Sequence, residues 1–155
     1  MVRFSVVMRA LVFFAVAVMA CATEAQAQSS WIYVIDGTDH ITGLNNNSRT
    51  KVGAYYRAWF VRVVKVRELG YDYTLMHYEA DCSANRMRRL AFAAYKLDGS
   101  NEFGSSEIEP WEAIFPESIA EAMKDEVCNP ALLEEPGFDN AKAFAQWGRA
   151  SLLAD

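Results

Sequence analysis

The chain has 155 residues, a length typical of one domain, and it is 52% hydrophobic and 13% aromatic. This composition is too apolar for a disordered tail. Fifteen Lys and Arg residues against 20 Asp and Glu residues give a net charge of −5. That charge argues against a nucleic-acid binder, because contacts with phosphates require an excess of cationic side chains.

The N-terminal segment has the three parts of a secretory signal peptide. Arg3 and Arg9 form a positively charged start, and residues 10–20 are an uninterrupted apolar run that is too short to span a membrane. Ala25-Gln26-Ala27 then supplies the small-x-small pattern of a cleavage site. We therefore predict that residues 1–27 are removed. We expect the protein to be exported to the periplasm, the outer membrane surface or the medium.

A second interpretation of the same segment is a lipobox. Residues 18–21 (VMAC) resemble that motif, although Val takes the place of the usual Leu. In that case Cys21 would carry a lipid and hold the protein at a membrane. Plain secretion is the interpretation that we favour, and membrane association is expected only if Cys21 is lipidated.

Two cysteines remain after the predicted cleavage, Cys82 and Cys128. An even pair in an oxidising compartment predicts a disulfide, and with two cysteines only one intramolecular pairing exists. A zinc or redox pair is the alternative. It does not fit, because the chain has no CxxC motif and its two histidines are scattered without the spacing of metal ligands.

The first half of the exported chain predicts β-strands. Short runs rich in Val, Tyr, Phe and Trp are separated by turn signals, as in an antiparallel sheet. Residues 37–53 contain three glycines and an asparagine run, and we interpret them as turns and loops. The predicted strands are 31–36, 54–66, 71–82 and 86–97, with weaker ones at 40–42 and 102–108. Helix is the competing interpretation of 86–97, since Arg, Met, Leu and Ala favour helices.

The second half predicts two helices. The first is expected to begin at Pro116 and to end at Cys128. The second covers 141–153, with Asp139 or Asn140 as its cap. The resulting fold class is α+β: a curved antiparallel sheet of five to six strands, a helix tethered to it by the disulfide, and an extra C-terminal helix. We assign 28–128 to the domain and 129–155 to a C-terminal helical extension.

Several features resemble the bacterial surface-adhesin protein E family. They are an early tryptophan (Trp31), Ala80-Asp81-Cys82 at a strand end, the basic and apolar strand 86–95, the run Trp111–Ser118 (WEAIFPES), and Cys128 ten residues later. The resemblance covers about residues 30–128. It implies a curved antiparallel sheet with a helix held against it by the equivalent cysteines. The segment 37–53 and the tail 129–155 depart from the family pattern.

The resemblance also implies a function. Well-known members of the family are envelope or surface proteins that bind host matrix and serum proteins, and haem binding occurs among them. We therefore expect an exported binding or adhesin-like protein that recognises a macromolecule, with a homodimer as one form of it. The alternative is a periplasmic carrier of a small ligand such as haem, with Trp59, His77 and Tyr78 lining a groove between sheet and helix.

The residues themselves indicate binding rather than catalysis. The chain has no nucleophile motif, P-loop or dinucleotide fingerprint, and His77 has acidic neighbours but no nucleophile beside it. We predict no enzymatic activity, no catalytic residues and no metal site. The candidate binding surface is the aromatic and basic strand around Arg57, Trp59, Arg62 and Lys65.

Charge is unevenly distributed along the chain. Residues 49–96 carry ten Lys and Arg against four acids, whereas residues 97–155 carry three against 13. The functional interpretation is a basic sheet surface that meets an acidic partner. The interpretation that we favour is internal neutralisation, with the acidic helix lying on the basic sheet.

Overall fold

The computed structural model describes residues 30–67, 70–129 and 137–154, which form one antiparallel sheet and two helices. The predicted signal peptide and the lipobox with Cys21 lie outside the described residues. The strands are β1 (Trp31–Asp36), β2 (His40–Asn45), β3 (Thr50–Val52), β4 (Tyr55–Val64), β5 (Tyr73–Asp81), β6 (Arg86–Tyr95), β7 (Asn101–Ser105) and β8 (Glu112–Ala113). The helices are α1 (Ile119–Cys128) and α2 (Ala141–Ala154).

In the part of the chain that the structure describes, no helix is both long enough and apolar enough to cross a membrane.

The sheet has the strand order β1-β2-β4-β5-β6-β7, and the two short strands β3 and β8 pair with β4 and β6. The predicted β5–β6 hairpin is confirmed, and Asn85 in its turn has a φ of 49°. The segment 86–97 is therefore a strand and not a helix. The predicted α+β class is confirmed with eight strands, because β3 and β8 are too short to show a periodic pattern in the sequence.

Each helix covers a different face of the sheet. On the α1 face, Met123 and Val127 of α1 pack with the sheet residues Phe60, Met76 and Ala80. On the α2 face, other side chains of the same strands pack with α2. They include Ile41, Val61, Val63, Tyr73, Phe144, Ala145 and Leu152. The central strands are thus covered on both sides, which explains why β4 is apolar at both odd and even positions.

Helix α1 begins at Ile119, three residues later than the predicted start at Pro116. Glu117 has a φ of 60°, which a helix cannot contain. Ser118 is the N-cap, and its Oγ accepts a hydrogen bond from the Glu121 backbone N–H at 3.2 Å. The Glu121 carboxylate accepts in return from the Glu117 backbone N–H at 2.7 Å. The Ser-x-x-Glu pattern therefore sets the start of the helix.

Helix α2 is capped by Asn140, one of the two predicted caps. Its side-chain oxygen accepts from the Ala143 backbone N–H at 2.8 Å. The helix packs on the sheet through a buried row that includes Phe144 and Gly148. The division between domain and extension after residue 128 stays a prediction, although α2 is an integral part of the core on its face of the sheet.

Gly43 lies inside β2 rather than in a loop, contrary to our interpretation of the segment 37–53. A Cβ at this position would lie 2.4 Å from Phe144 Cζ and 2.7 Å from the Ile32 carbonyl oxygen. A glycine here allows the ring of Phe144 to approach the strand. Gly53, with a φ of 62°, occupies a turn as expected.

The predicted disulfide is confirmed. Cys82 follows β5 directly and Cys128 is the last residue of α1, with their Cα atoms 6.0 Å apart. The bond joins positions separated by 46 residues and ties α1 to its face of the sheet.

In the described part of the chain, the acidic helix does not neutralise the basic sheet through salt bridges, but the basic and acidic parts of the chain do pair elsewhere, Arg89 with Glu109 and Lys96 with Glu102. Among the residues described, no salt bridge joins a carboxylate of α1 or α2 to a sheet arginine. The arginines pair with acids of the sheet or of adjoining segments instead. These pairs are Arg57 and Arg88 with Glu79, Arg67 with Asp72, Arg86 with Asp81, and Arg89 with Glu109.

Candidate binding surface

One half of the α2 face carries a ladder of aromatic and guanidinium side chains, which we call the arginine–tryptophan surface. It is built from neighbouring positions of β4, β5 and β6 together with the segment before β8. Its members are Tyr55, Arg57, Trp59, His77, Glu79, Asp81, Arg86, Arg88 and Trp111. Antiparallel pairing places cross-strand partners side by side, and so residues distant in the sequence form one continuous surface.

The central rung of this surface is a buried carboxylate between two guanidinium groups. Glu79 is 1% exposed, and it accepts from Arg57 Nε at 2.7 Å and from Arg88 Nε at 2.8 Å. Burial raises the pKa of Glu79, but hydrogen bonds and positive charge from Arg57 and Arg88 outweigh it and leave that pKa below its ordinary value. The two arginine side chains are about one-third and one-quarter exposed, so their outer edges face solvent.

The next rung is a stack of two rings. Trp59 and His77 are cross-strand partners, and their ring centroids lie 4.7 Å apart with an angle of 7° between the planes. Burial and the positive charge of Arg57 lower the pKa of His77, against an opposing effect of Glu79. The imidazole is therefore neutral near pH 7, which suits a flat ring stacked on indole.

Trp111 covers the other end of the ladder. Its ring lies 4.4 Å from Arg88 Cζ and 4.8 Å from Arg86 Cζ, and it is 5.1 Å from the ring of Tyr55. Cation–π contact and offset ring packing hold these groups in place. The Asp81 carboxylate lies below and accepts from Arg86 at 3.0 Å. The surface thus presents rings and guanidinium edges outward while its carboxylates are buried.

The structure separates the four residues of the predicted binding surface. Arg57 and Trp59 lie together on the arginine–tryptophan surface. Arg62 points to the opposite face, because side chains alternate along a strand and its register partners are Thr42 and Thr74. Lys65 lies just beyond the end of β4, where its backbone N–H bonds the Asp39 carbonyl oxygen at 2.7 Å.

The three residues expected to line a haem groove do not share one. Trp59 and His77 are stacked on the α2 face, whereas Tyr78 packs with Phe60 on the α1 face. Adjacent residues of a strand point to opposite sides of the sheet. This set of side chains therefore does not fit a haem site between sheet and helix.

Sequence reasoning missed part of the surface. The sequence shows that His77 has acidic neighbours, yet nothing in it links His77 and Glu79 to Arg57 and Arg88. Trp111 lies in an irregular segment without periodicity, and the only signal at that position was its place in the family resemblance. Pairing of distant strands, which sequence spacing does not reveal, brings these groups together.

One arrangement on the α1 face superficially resembles a catalytic triad. Asp39 Oδ1 lies 2.5 Å from His40 Nδ1, and Thr42 follows two residues later on the same face. However, His40 Nε2 and Thr42 Oγ1 are both buried without a hydrogen-bond partner among the residues described, so they do not bond each other. A hydroxyl that is not bonded to the base is not activated for attack.

Fold and surface together define a class: a disulfide-tethered α+β protein with a rigid aromatic and cationic surface on an open part of its sheet. The family model described as Surface-adhesin protein E matches residues 31–129, well over half of the chain. The chain therefore belongs to the surface-adhesin protein E family. Neither the comparison with curated proteins nor the comparison with solved structures gives a match.

Proposed function

We propose that this protein is an exported, non-enzymatic adhesin-like binding module that engages a host protein through the arginine–tryptophan surface. Family membership supports an exported or surface location and binding to host-derived macromolecules in general. The single observation that carries the proposal is the structure of the arginine–tryptophan surface. Stacking and ion pairs fix the side chains of Arg57, Trp59, Arg88 and Trp111, which still reach solvent.

The composition of this surface is that of a protein-binding hot spot. Trp, Tyr and Arg are enriched among residues that dominate binding energy, and such residues work best where their conformations are already fixed. Glu79 and the Trp111 ring fix Arg88, while the His77 ring fixes Trp59. Binding therefore costs little additional side-chain entropy.

The chemistry of the surface selects the kind of partner segment. The carboxylates of Glu79 and Asp81 are buried below, so the outward charge comes from guanidinium groups. Guanidinium edges bind carboxylates in a planar, bidentate geometry, and the half-buried rings favour apolar or aromatic contact. The partner that fits is a protein segment with acidic side chains next to apolar ones.

A binding assay with paired variants tests the surface. The protein is measured by biolayer interferometry against immobilised extracellular-matrix and serum proteins. Trp59→Ala should weaken the interaction at least tenfold, as truncation of a central anchor does. Arg57→Lys should also weaken it, because Lys keeps the charge beside Glu79 but loses the planar donor array. Melting curves of both variants verify that they are folded.

Arg62→Gln is the matched control, since Arg62 lies on the same strand but on the opposite face. It should bind like the wild type. Loss of binding in this control with unchanged binding in Trp59→Ala would contradict the proposal, as would failure of the wild type to bind any protein of the panel.

Exposure on the cell surface is tested separately. Protease treatment of intact cells should remove the protein, and mass analysis of its mature N-terminus should find Gln28 as the first residue. A protein that is protected until the outer membrane is opened would be confined to the periplasm, and direct adhesion would then be excluded. A lipid on Cys21 would replace the predicted cleavage site.

A further inference from the structure

Helix α1 leaves part of its face of the sheet open, and a groove runs along this open part. An outer cavity of about 540 Å³ lies over the central strands, and an inner cavity of about 220 Å³ extends beneath α1. Both cavities are lined by Arg62, Met76 and Arg89. A ligand can therefore lie partly in solvent and partly under the helix, within the size range of small-molecule sites.

One cationic group at the junction of the two cavities has no direct polar partner among the described residues, although the carboxylate of Asp39 is close enough to interact with it electrostatically. Arg62 forms no hydrogen bond or ion pair with any residue in the described ranges. The carboxylate of Asp39 is bonded to His40 at 2.5 Å, and Arg89 is paired with Glu109. A single guanidinium group is thus left to receive an anion.

Two further polar groups in the inner cavity lack good partners. Thr42 is 1% exposed, and its Oγ1 has no hydrogen-bond partner among the described residues. The hydroxyl of Tyr78 donates only to the thioether sulfur of Met76 at 3.9 Å, which is a weak acceptor. Buried hydroxyl groups are normally satisfied, and those that are not require an explanation. A ligand with acceptor oxygens would satisfy both.

The inner cavity is also lined by apolar, adaptable side chains, beside the charged groups of Arg88, Arg89, Glu109 and Glu112. Its lining includes Met76, Met87 and Met123, together with Ile114 and Ile119. Unbranched, flexible methionine side chains adjust to chains of varied shape, and they are used at sites that accept apolar ligands. The three methionines of the described residues all lie here.

We propose that this groove binds a linear amphipathic monocarboxylate, a fatty-acid anion, with its alkyl chain beneath α1 and its carboxylate at Arg62. One guanidinium without a hydrogen bond in the described ranges offers a site for one carboxylate, and the nearby acidic groups of Asp39, Glu109 and Glu112 disfavour a doubly charged phosphate. Thr42 and Tyr78 donate to the carboxylate or to an oxygen near it. This site lies on the opposite face of the sheet from Arg57 and Trp59, and Arg88 is the one member of the arginine–tryptophan surface that also lines the inner cavity. Variants of Arg57 and Arg62 therefore test the two proposals separately.

The test is titration of the purified protein with dodecanoate below its micelle concentration, followed by calorimetry. Methionine methyl groups carrying ¹³C are observed in parallel by NMR and assigned with single Met→Leu variants. We expect saturable binding that shifts the methyl signals of Met76, Met87 and Met123. Arg62→Gln should weaken binding about tenfold or more, because a charge-assisted hydrogen bond is lost, and Thr42→Val should weaken it less.

Arg57→Lys and dodecanol provide the controls. Arg57→Lys alters only the opposite face and should bind dodecanoate like the wild type, while dodecanol lacks the charge and should bind at least tenfold more weakly. Arg62→Gln should melt like the wild type, since Arg62 is exposed. Absence of saturable binding, equal affinity for dodecanol, or equal affinity of Arg62→Gln for dodecanoate would overturn the proposal.

Discussion

At the scale of the residue, the arginine–tryptophan surface depends on one buried carboxylate. Glu79 receives hydrogen bonds from two arginines on neighbouring strands, so it both links β4 to β6 and orients the guanidinium groups. A buried charge is tolerated only when it is fully paired. Glu79 therefore has two roles: its carboxylate holds the strands together, and it also orients the guanidinium groups that the surface presents.

Replacing the carboxylate should cost stability in a pH-dependent way. Glu79→Gln should lower the free energy of unfolding at pH 7 by about 2–3 kcal/mol, because two arginines lose their counter-charge. The pKa of Glu79 is lowered in the folded state, so its stabilisation is complete above the unfolded value of about 4.3 and is lost as pH falls through the lower folded value. The difference between variant and wild type should therefore shrink in strong acid.

Urea denaturation at about pH 7 and about pH 3 measures this difference. Glu109→Gln is the matched control, since its pair with Arg89 is much more exposed and should contribute at most about 1 kcal/mol. A difference between Glu79→Gln and wild type that stays constant with pH would show that the charge of Glu79 does not stabilise the fold.

A β-bulge decides which side chains share the groove. Strict alternation along β6 would place Arg89 and Phe92 on opposite faces, because they are three residues apart. The register between β5 and β6 shifts next to His77, where β6 has one extra residue. Arg89 and Phe92 consequently share the α1 face, with Arg89 Cζ lying 4.6 Å from the ring centroid. No pattern in the sequence indicates this bulge.

At the scale of the element, the strongest strands were predictable and the boundaries were not. β1 has the predicted bounds, and β4 and β5 differ from the predicted bounds by one or two residues at each end. Their aromatic and β-branched runs identify them without tertiary information. Helix α1 was predicted to begin too early because Pro116 is a frequent first residue, whereas the Ser118 cap and the φ of Glu117 set its actual start.

The packing of α2 on β2 depends on the absence of a side chain at Gly43. Gly43→Ala should lower the free energy of unfolding by about 1–3 kcal/mol, because the added methyl overlaps the ring of Phe144 and the carbonyl oxygen of Ile32. Thermal and urea unfolding measure the loss. In a Phe144→Leu background the same substitution should cost less, since part of the overlap is gone. Strict additivity of the two substitutions would contradict this account.

At the scale of the whole molecule, the sheet is enclosed between two helices that are held in different ways. Disulfide Cys82–Cys128 ties α1 to the sheet, while α2 is held by the packing of its buried row and by hydrogen bonds such as Lys142 Nζ to the Asp98 carbonyl oxygen at 2.8 Å. α1 covers only part of its face and α2 only part of the other. The uncovered parts are where the groove and the arginine–tryptophan surface lie.

Removal of the disulfide should weaken the whole fold. The chain-entropy model gives roughly 4 kcal/mol for a loop of this length, and loss of such a bond typically costs about 2–5 kcal/mol. The double variant Cys82→Ser/Cys128→Ser should therefore melt many degrees below the wild type. Calorimetry with and without a reducing agent measures this: reduction should lower the wild type to the melting temperature of the variant and leave the variant unchanged. Equal melting of the oxidised wild type and the variant would show that the bond contributes nothing.

The sequence by itself determined the α+β class, the main strands, the disulfide and the family. The class, the strands and the disulfide follow from local composition and from a cysteine count that allows one pairing, and the family follows from the resemblance of its motifs, which the family model confirms. Only the tertiary structure decided which face of the sheet each helix covers, and that Arg57 and Arg62, five residues apart, serve different surfaces. The physical reason is that the pleat, the register and the bulge determine the direction in which each side chain of the sheet points. Strand pairing also brings together residues that are far apart in the sequence, and their spacing does not reveal the contact.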